Sequence, residues 1–288
     1  MAAASEVPAS FRSSAVRPGP VALVRDGFRE VISRRRLIRY LVQADLRKTG
    51  ADAVLGNIWW VVDPLLQMLV YVVLVSVIFR HSQPDYALFV FSAILPWKWF
   101  TSGVQDGTAS VVAMERLIKQ INFPKIVLPV GSVVAGVAHF AFGLIPLALL
   151  MAVFYPHRFS IWLVAIPAIA FVQLLFTLPV AIVLGAINVF YRDIGNLSRH
   201  LLRLWFYLSP ALYPPELLSN IGEKFPLAGK LMELNPWAVL FTAYHDVIYA
   251  GIAPNWLSLA GVAGMSLGLL ALATLVFKRL EPTFAKVL

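Results

Sequence analysis

The stretch Ile58-Trp59-Trp60-Val61-Val62-Asp63-Pro64-Leu65-Leu66-Gln67-Met68-Leu69-Val70-Tyr71-Val72-Val73-Leu74-Val75-Ser76-Val77-Ile78-Phe79 decides the fold. Almost every side chain in it is apolar. At about 1.5 Å rise per residue, a helix of this length crosses a hydrocarbon core of about 30 Å. Five more long apolar stretches follow: Tyr86 to about Met114, Val127 to Phe154, Ile161 to Phe190, Leu197 to Tyr213 and Trp256 to Phe277. The expected fold class is an all-α membrane protein with six transmembrane helices. The second stretch carries Lys98, Gln105 and Asp106, so it crosses only if packed inside protein or facing water. The fifth is short, and Leu212-Tyr213-Pro214-Pro215 stops it.

Composition agrees. The 288 residues are 59% hydrophobic and 14% charged, with a mean hydropathy of +0.77, too apolar for one soluble core and natural for a bundle solvated by lipid. The formal charge of +9 raises nucleic acid as a partner, but the basic residues are segregated rather than spread. Of the 24 lysines and arginines, ten precede the first span; three each lie between spans two and three, around the start of the fifth, and after the sixth. Only Arg80, Arg158, Lys224 and Lys230 fall on the other side. The positive-inside rule then places both termini in the cytoplasm, in keeping with an even number of spans, and no nucleic-acid partner is expected. The absence of cysteine excludes disulfides, thiolate nucleophiles and Cys-ligated metals. Residues 1–20, rich in Ala, Ser and Pro, read as a disordered cytoplasmic tail without a signal-peptide core.

From Val21 to Lys48, Val24, Phe28, Ile32, then Ile38, Leu41 or Val42, and Leu46 recur at helical spacing among arginines. This predicts an amphipathic helix in the membrane interface, or else a solvated helix packed on a partner. Residues 49–288 are expected to form one six-span transmembrane domain. Between spans five and six, Trp237 to Ile252 is moderately apolar but carries His245 and Asp246, which predicts a re-entrant or interfacial helical segment, with an ordinary loop as the alternative.

Several side chains are candidates for a conduit. Trp60, Asp63, Gln67 and Tyr71 share one face of the first span, and a polar stripe in an oily helix either lines a hydrated passage or bonds neighbouring helices. Asp63 can equally snorkel or pair with a nearby arginine. Trp97, Trp99 and Phe100 around Lys98, with Trp205, Phe206 and Tyr207, offer stacking surfaces for a sugar chain, although tryptophan more often serves as an interfacial anchor. Ser132, Gly136, His139 and Gly143, and Gln173, Thr177, Ala181, Gly185 and Asn188, form two small or polar stripes that predict close helix packing. His139 has no second ligand at sequence spacing, so no metal site is expected. There is no Gly-x-x-x-x-Gly-Lys-Ser/Thr loop, and the 15 acids are scattered singly, which argues against an ATPase or a metal-assisted transferase.

Motifs in order give a more specific reading: Leu55-Gly56-Asn57-Ile58-Trp59-Trp60 running into Asp63-Pro64-Leu65-Leu66, Leu95-Pro96-Trp97, Arg116-Leu117-Ile118-Lys119 to Asn122-Phe123-Pro124, and Tyr191-Arg192-Asp193-Ile194. Leu208-Ser209-Pro210, Leu234-Asn235-Pro236 and Glu281-Pro282-Thr283-Phe284-Ala285 complete the series. From about Leu37 to Leu288 the chain resembles the permease subunits of ATP-binding-cassette exporters for cell-surface polysaccharides, the Wzm-like group serving O-antigens, teichoic acids and actinobacterial cell-wall galactan. The resemblance implies a type 2 exporter permease that is not itself an enzyme. Two copies would form a channel in the bacterial plasma membrane, with a lipid-linked polysaccharide as substrate. Two separate cytoplasmic subunits would bind ATP and Mg, and this chain would bind no cofactor. Arg47, Lys48, Glu115, Arg116, Leu117, Ile118, Lys119, Asn122, Phe123 and Pro124 are then the expected ATPase-coupling residues, and Arg34, Arg35, Arg36 and Arg39 the expected steering group for a polyprenyl diphosphate head. Two positions depart from the pattern. Asp63 stands where many relatives are expected to carry Asn, and Lys98 where no charge is expected.

Three other readings compete. A membrane enzyme acting on polyprenyl-phosphate sugars would show clustered acids or histidines; a drug or lipid efflux permease would differ at Tyr191-Arg192-Asp193 and Phe284; a scaffold would have no use for polar faces within spans.

Overall fold

A computed structural model describes residues 19–51, 58–74, 84–212 and 234–288. In chain order the helices are α1 (Pro20–Ser33), α2 (Arg35–Ala51), α3 (Trp59–Val72), α4 (Tyr86–Ala113), α5 (Glu115–Gln120), α6 (Val127–Phe154), α7 (Ile166–Phe190), α8 (Ile194–Tyr207), α9 (Pro236–His245) and α10 (Trp256–Val287). A π-helical turn, Asp246–Ala250, extends α9. The described chain is all-helical, and α4, α6, α10 and α7 with its preceding turn, Ile161–Phe190, are long and apolar enough to cross a membrane. The expected first span is described only as α3, since residues 75–83 lie outside the described residues. The expected fifth span, Leu197 to Tyr213, is the shorter α8; its helix gives way after Tyr207 to turns at Leu208–Leu212, which contain Pro210. The segment expected as one amphipathic helix over Val21 to Lys48 is two, jointed at Arg34, whose ψ of 20° leaves the helical line.

The central element is α4. Of its apolar window 78% is inside protein, against 28% for α6, while its polar residues lie on the part that borders surface hollows: Lys98 and Gln105 line one, and the exposed Asp106 another. Small residues bring its neighbours close. Gly107 and Gly185 face each other across α4 and α7, so that a Cβ on Gly185 would stand 2.8 Å from the Gly107 carbonyl oxygen. On α6, Gly136 receives the Trp99 indole and Gly143 the Leu95 side chain, while Gly131 receives Leu41 of α2. The stripes expected to pack helices do so.

Polar side chains on α7 serve the same contact. Gln173 donates to the Pro96 carbonyl at 2.9 Å and accepts from the Tyr244 hydroxyl at 2.9 Å. Asn188 donates to the Thr108 carbonyl at 3.0 Å and accepts from the Gly195 amide at 3.2 Å. Each buried amide is thus satisfied by its donor and its acceptor, in keeping with the cost of an unpaired polar group inside a bundle.

Each end of the bundle is tied. At the end carrying α1, α2, α5 and the last turns of α10, here the basic end, Lys278 bonds Glu30 at 2.9 Å and Glu281 at 2.6 Å, and Glu281 accepts the Lys125 amide at 2.6 Å. Phe284 packs beneath on Phe277 and Phe190. At the far end Asp85 adopts φ 52°, a left-handed conformation that Asp tolerates, just before α4. Its carboxylate accepts from Arg158 at 2.8 Å and lies 3.0 Å from His157. Arg158 also bonds the Tyr249 carbonyl and lies over that ring.

Candidate functional site

On the surface where α3, α4 and α8 meet lies a groove of about 310 Å³, lined by Gln67 and Tyr71 of α3, Trp97, Lys98, Thr101 and Gln105 of α4, and Arg199, Leu202, Arg203, Phe206 and Tyr207 of α8. Helical spacing explains the lining. Gln67 and Tyr71 are one turn apart, as are Arg199, Arg203 and Tyr207, while Leu202 and Phe206 fill the strip between them. The remaining face of α8 exposes Leu197, Leu201 and Leu204, continued by Leu208 just past its end. One helix therefore presents an apolar stripe on one side and two cations with two aromatics on another.

The groove has a cationic portion and an aromatic portion. The Tyr71 and Tyr207 hydroxyls meet at 3.3 Å and bridge α3 to α8, and the Tyr71 ring lies 5.9 Å from Phe206. Behind them Trp97 packs at 5.3 Å on Phe206, 4.8 Å on Trp237 and 5.8 Å on Phe241. Lys98, beside Trp97, donates to Asp63 at 2.9 Å. The two departures noted in the sequence are each other's partners.

Of the residues expected to form a conduit, Gln67, Tyr71, Trp97, Phe206 and Tyr207 are gathered here. Asp63 stands outside the lining but holds Lys98, which belongs to it. Trp99 and Phe100 have their side chains in the core: Trp99 stacks on Phe140 at 5.1 Å, and Phe100 on Phe176 at 5.8 Å. Consecutive residues on a helix diverge by 100°, so a run of aromatics cannot all face one groove. Trp60 lies in α3, with its side chain outside the described residues. The groove also holds Thr101, which the sequence reading did not single out, and Gln105, Arg199 and Arg203, which it treated as span polarity or topogenic charge; the signal that would have found the arginines is their one-turn spacing ahead of Phe206 and Tyr207.

The short sequence motifs meet in space. Asn235 caps α9 by accepting the Trp237 amide at 3.0 Å, accepts the Trp205 indole N–H at 2.9 Å, and donates to the Ser209 hydroxyl at 2.7 Å. Leu208-Ser209-Pro210 and Leu234-Asn235-Pro236 are thereby bonded into one joint behind the groove. His139 has a carboxylate neighbour that sequence spacing does not reveal, Asp45 of α2 at 3.7 Å. Asp106 lines a separate hollow of about 320 Å³ with Asp45, Ser110 and Ser132.

At the basic end, Arg34, Arg35, Arg36 and Arg39 are exposed around the joint between α1 and α2, as is Arg47 farther along α2; the Lys48 side chain lies outside the described residues. In α5, Arg116 and Lys119 are exposed, Leu117 is half-buried and Ile118 is buried in the core. The Lys119 hydrogen bond to Glu115, at 2.7 Å, holds that carboxyl below the ordinary range, and the lysine charge adds to the effect. Asn122 is exposed and Phe123 and Pro124 half-buried in the link to α6.

Along 258 residues, 90% of the chain and 97% of the relative, 34% of positions are identical to the O-antigen export system permease protein RfbA of Myxococcus xanthus. The chain belongs to the O-antigen export permease family. Two RfbA permeases of Klebsiella pneumoniae are 29% and 28% identical over 88% of the chain and 95% of their own lengths. No family model matches the chain. As an export-system permease the chain is a multi-pass membrane protein and not an enzyme.

Proposed function

We propose that this permease is the membrane-spanning subunit of an ATP-driven exporter that carries a lipid-linked cell-surface polysaccharide, O-antigen-like or a cell-wall galactan, out across the bacterial plasma membrane. The observation that carries the reading is the groove between α3, α4 and α8 in a member of the O-antigen export permease family: hydroxyls, amides, guanidinium groups and flat rings gathered in an apolar bundle. Such a lining suits a sugar chain, whose hydroxyl groups need hydrogen bonds and whose ring faces stack on aromatics.

The chain crosses six times, with both termini cytoplasmic. The α3 and α8 segments are the first and fifth crossings, and α9 with its π turn belongs to a re-entrant segment. Two copies enclose the passage, with Trp60, Asp63, Gln67, Tyr71, Trp97, Trp99, Phe100, Phe206 and Tyr207 shaping it directly or from behind. The buried rings of Trp99 and Phe100 act from behind. Two cytoplasmic ATPase subunits, which hold ATP and Mg, dock on the basic end. Arg47, Lys48 and the segment Glu115 to Pro124 receive them, since α5 exposes Arg116 and Lys119 while Ile118 anchors it. Arg34, Arg35, Arg36 and Arg39 draw anionic lipid headgroups to the entrance.

Depletion of the protein in its own cells tests the reading. Lipid-linked polymer should accumulate on the cytoplasmic side. Normal surface polymer with none accumulated would overturn it.

A further inference from the structure

We propose that Arg199 and Arg203 form a subsite for a diphosphate ester at the cationic portion of the groove, a placement that rests on the exporter reading only for the identity of the lipid bearing the diphosphate. Both arginines lie on one face of α8, about 8 and 14 Å of helical rise from its start at Ile194. If α8 is the fifth crossing, as proposed above, both lie within it, and an arginine within a crossing persists only if it meets water, a carbonyl or an anion. Among the described residues no carboxylate lies within ion-pair distance of either one; the ion pairs of the bundle use other partners. The neighbouring cation of the groove, Lys98, already holds Asp63.

The geometry favours an anion with two phosphate groups. Arg199 is steadied from its own helix: it donates to the Asn196 side-chain oxygen at 2.5 Å and to the Gly195 carbonyl at 3.3 Å. Of the five N–H donors of a guanidinium, three remain for a ligand, and Arg203 donates no hydrogen bond among the described residues. Two guanidinium forks one helical turn apart can each grip a phosphate in bidentate fashion. A phosphodiester headgroup, with one phosphate and one charge, satisfies only one fork. The amide of Gln105 borders the same hollow, and Tyr71, Phe206 and Tyr207 lie next along the groove. A glycan attached to the diphosphate would meet these rings with its first sugars, which gives the groove an order: phosphate on arginine, sugar on aromatics.

The test uses the whole exporter, permease with its ATPase subunits, in phosphatidylcholine nanodiscs, with farnesyl diphosphate as probe. Wild-type protein should bind the diphosphate more tightly than farnesyl monophosphate, and phosphatidylglycerol in the disc should not displace it. The double variant Arg199→Gln/Arg203→Gln should bind roughly tenfold more weakly or worse, with unchanged melting. The single variant Arg203→Gln, at an exposed position with no hydrogen-bond or ion-pair partner among the described residues, should show part of the same loss and decides the matter if the double variant does not fold. Undiminished binding in a folded variant overturns the subsite, as does equal affinity for monophosphate or displacement by phosphatidylglycerol, either of which marks a general headgroup site. The two ideas fail separately. Arginine-dependent diphosphate binding in a cell that accumulates no polymer on depletion would leave the subsite standing and remove the exporter.

Discussion

Lys98 of α4 and Asp63 of α3 form an ion pair at 2.9 Å, joining the central helix to the one that borders the groove. Each residue alone is an anomaly in an apolar helix; together they neutralise one another. Their side chains are 36% and 50% exposed in the single subunit, so the pair is intermediate between a surface bridge and a buried one.

Breaking this pair on one side should cost more than removing it. Lys98→Met leaves an unpaired carboxylate in an apolar helix and should destabilise by about 1–3 kcal/mol, between the costs typical of exposed and buried pairs. Asp63→Asn combined with Lys98→Met should recover most of the loss. Thermal melting of the four proteins in nanodiscs gives the coupling energy, and additive losses would show that the pair contributes nothing.

Aromatic substitutions separate transport from folding. Tyr207 is 51% exposed on the groove, so Tyr207→Ala should lower export severalfold with little change in protein level. Trp99→Ala should instead empty a packed site beside Gly136 and Phe140, costing about 3–5 kcal/mol and lowering the protein level itself. Quantifying surface polymer against membrane-extracted protein distinguishes the two.

Glu281 gathers the basic end. It is buried, and it accepts both the Lys125 amide at the foot of α6 and the Lys278 ammonium, which also holds Glu30 of α1. Glu281→Ala should destabilise by about 3 kcal/mol, because it leaves a buried cation and an amide short of their acceptor. It should also reduce ATP hydrolysis stimulated by substrate more than it reduces association with the ATPase. Assays of co-purification and ATPase rate on the same preparation check this.

The far end should respond to acid. Burial pushes the Asp85 carboxyl up, but the hydrogen bonds from His157 and Arg158 and their charges outweigh it and hold the carboxyl below its ordinary value. Its contribution is therefore complete above the unfolded value of about 3.9 and is lost as the pH falls through the lower folded one. Asp85→Asn should remove that part of the acid dependence, measured as melting temperature against pH.

Backbone proximity gives a sharp contrast among glycines. Gly185→Ala should cost about 1–3 kcal/mol, since its Cβ meets a backbone carbonyl that cannot turn aside. At Gly264 nothing lies within 4 Å, and Gly264→Ala should melt as wild type or slightly higher.

What was legible in the sequence follows from what is local. Helical period put Gln67 and Tyr71 on one face, and both line the groove; small residues at four-residue spacing predicted the contacts at Gly136, Gly143 and Gly185. Hydropathy found the long helices and cast doubt on the second: α4 is largely wrapped in other helices, and its Lys98 sits at a surface groove, paired with Asp63. Partnerships across long separations were not legible. Nothing near Lys98 in the chain points to Asp63, nothing near Lys125 points to Glu281, and counting arginines by membrane side hid the fact that Arg199 and Arg203 share a face. The break at Arg34 was missed because apolar periodicity continues across it while the backbone turns.

The central claim, that the polysaccharide passes along this groove, is tested most directly by photo-crosslinking from position 207 in living cells. A benzophenone amino acid in place of Tyr207, in an exporter stalled by an ATPase subunit unable to hydrolyse ATP, should yield a covalent adduct with the polymer. The same group at Leu257, 84% exposed on α10, should capture only phospholipid. Polymer adducts absent from position 207, or no more frequent there than from position 257, would contradict the account.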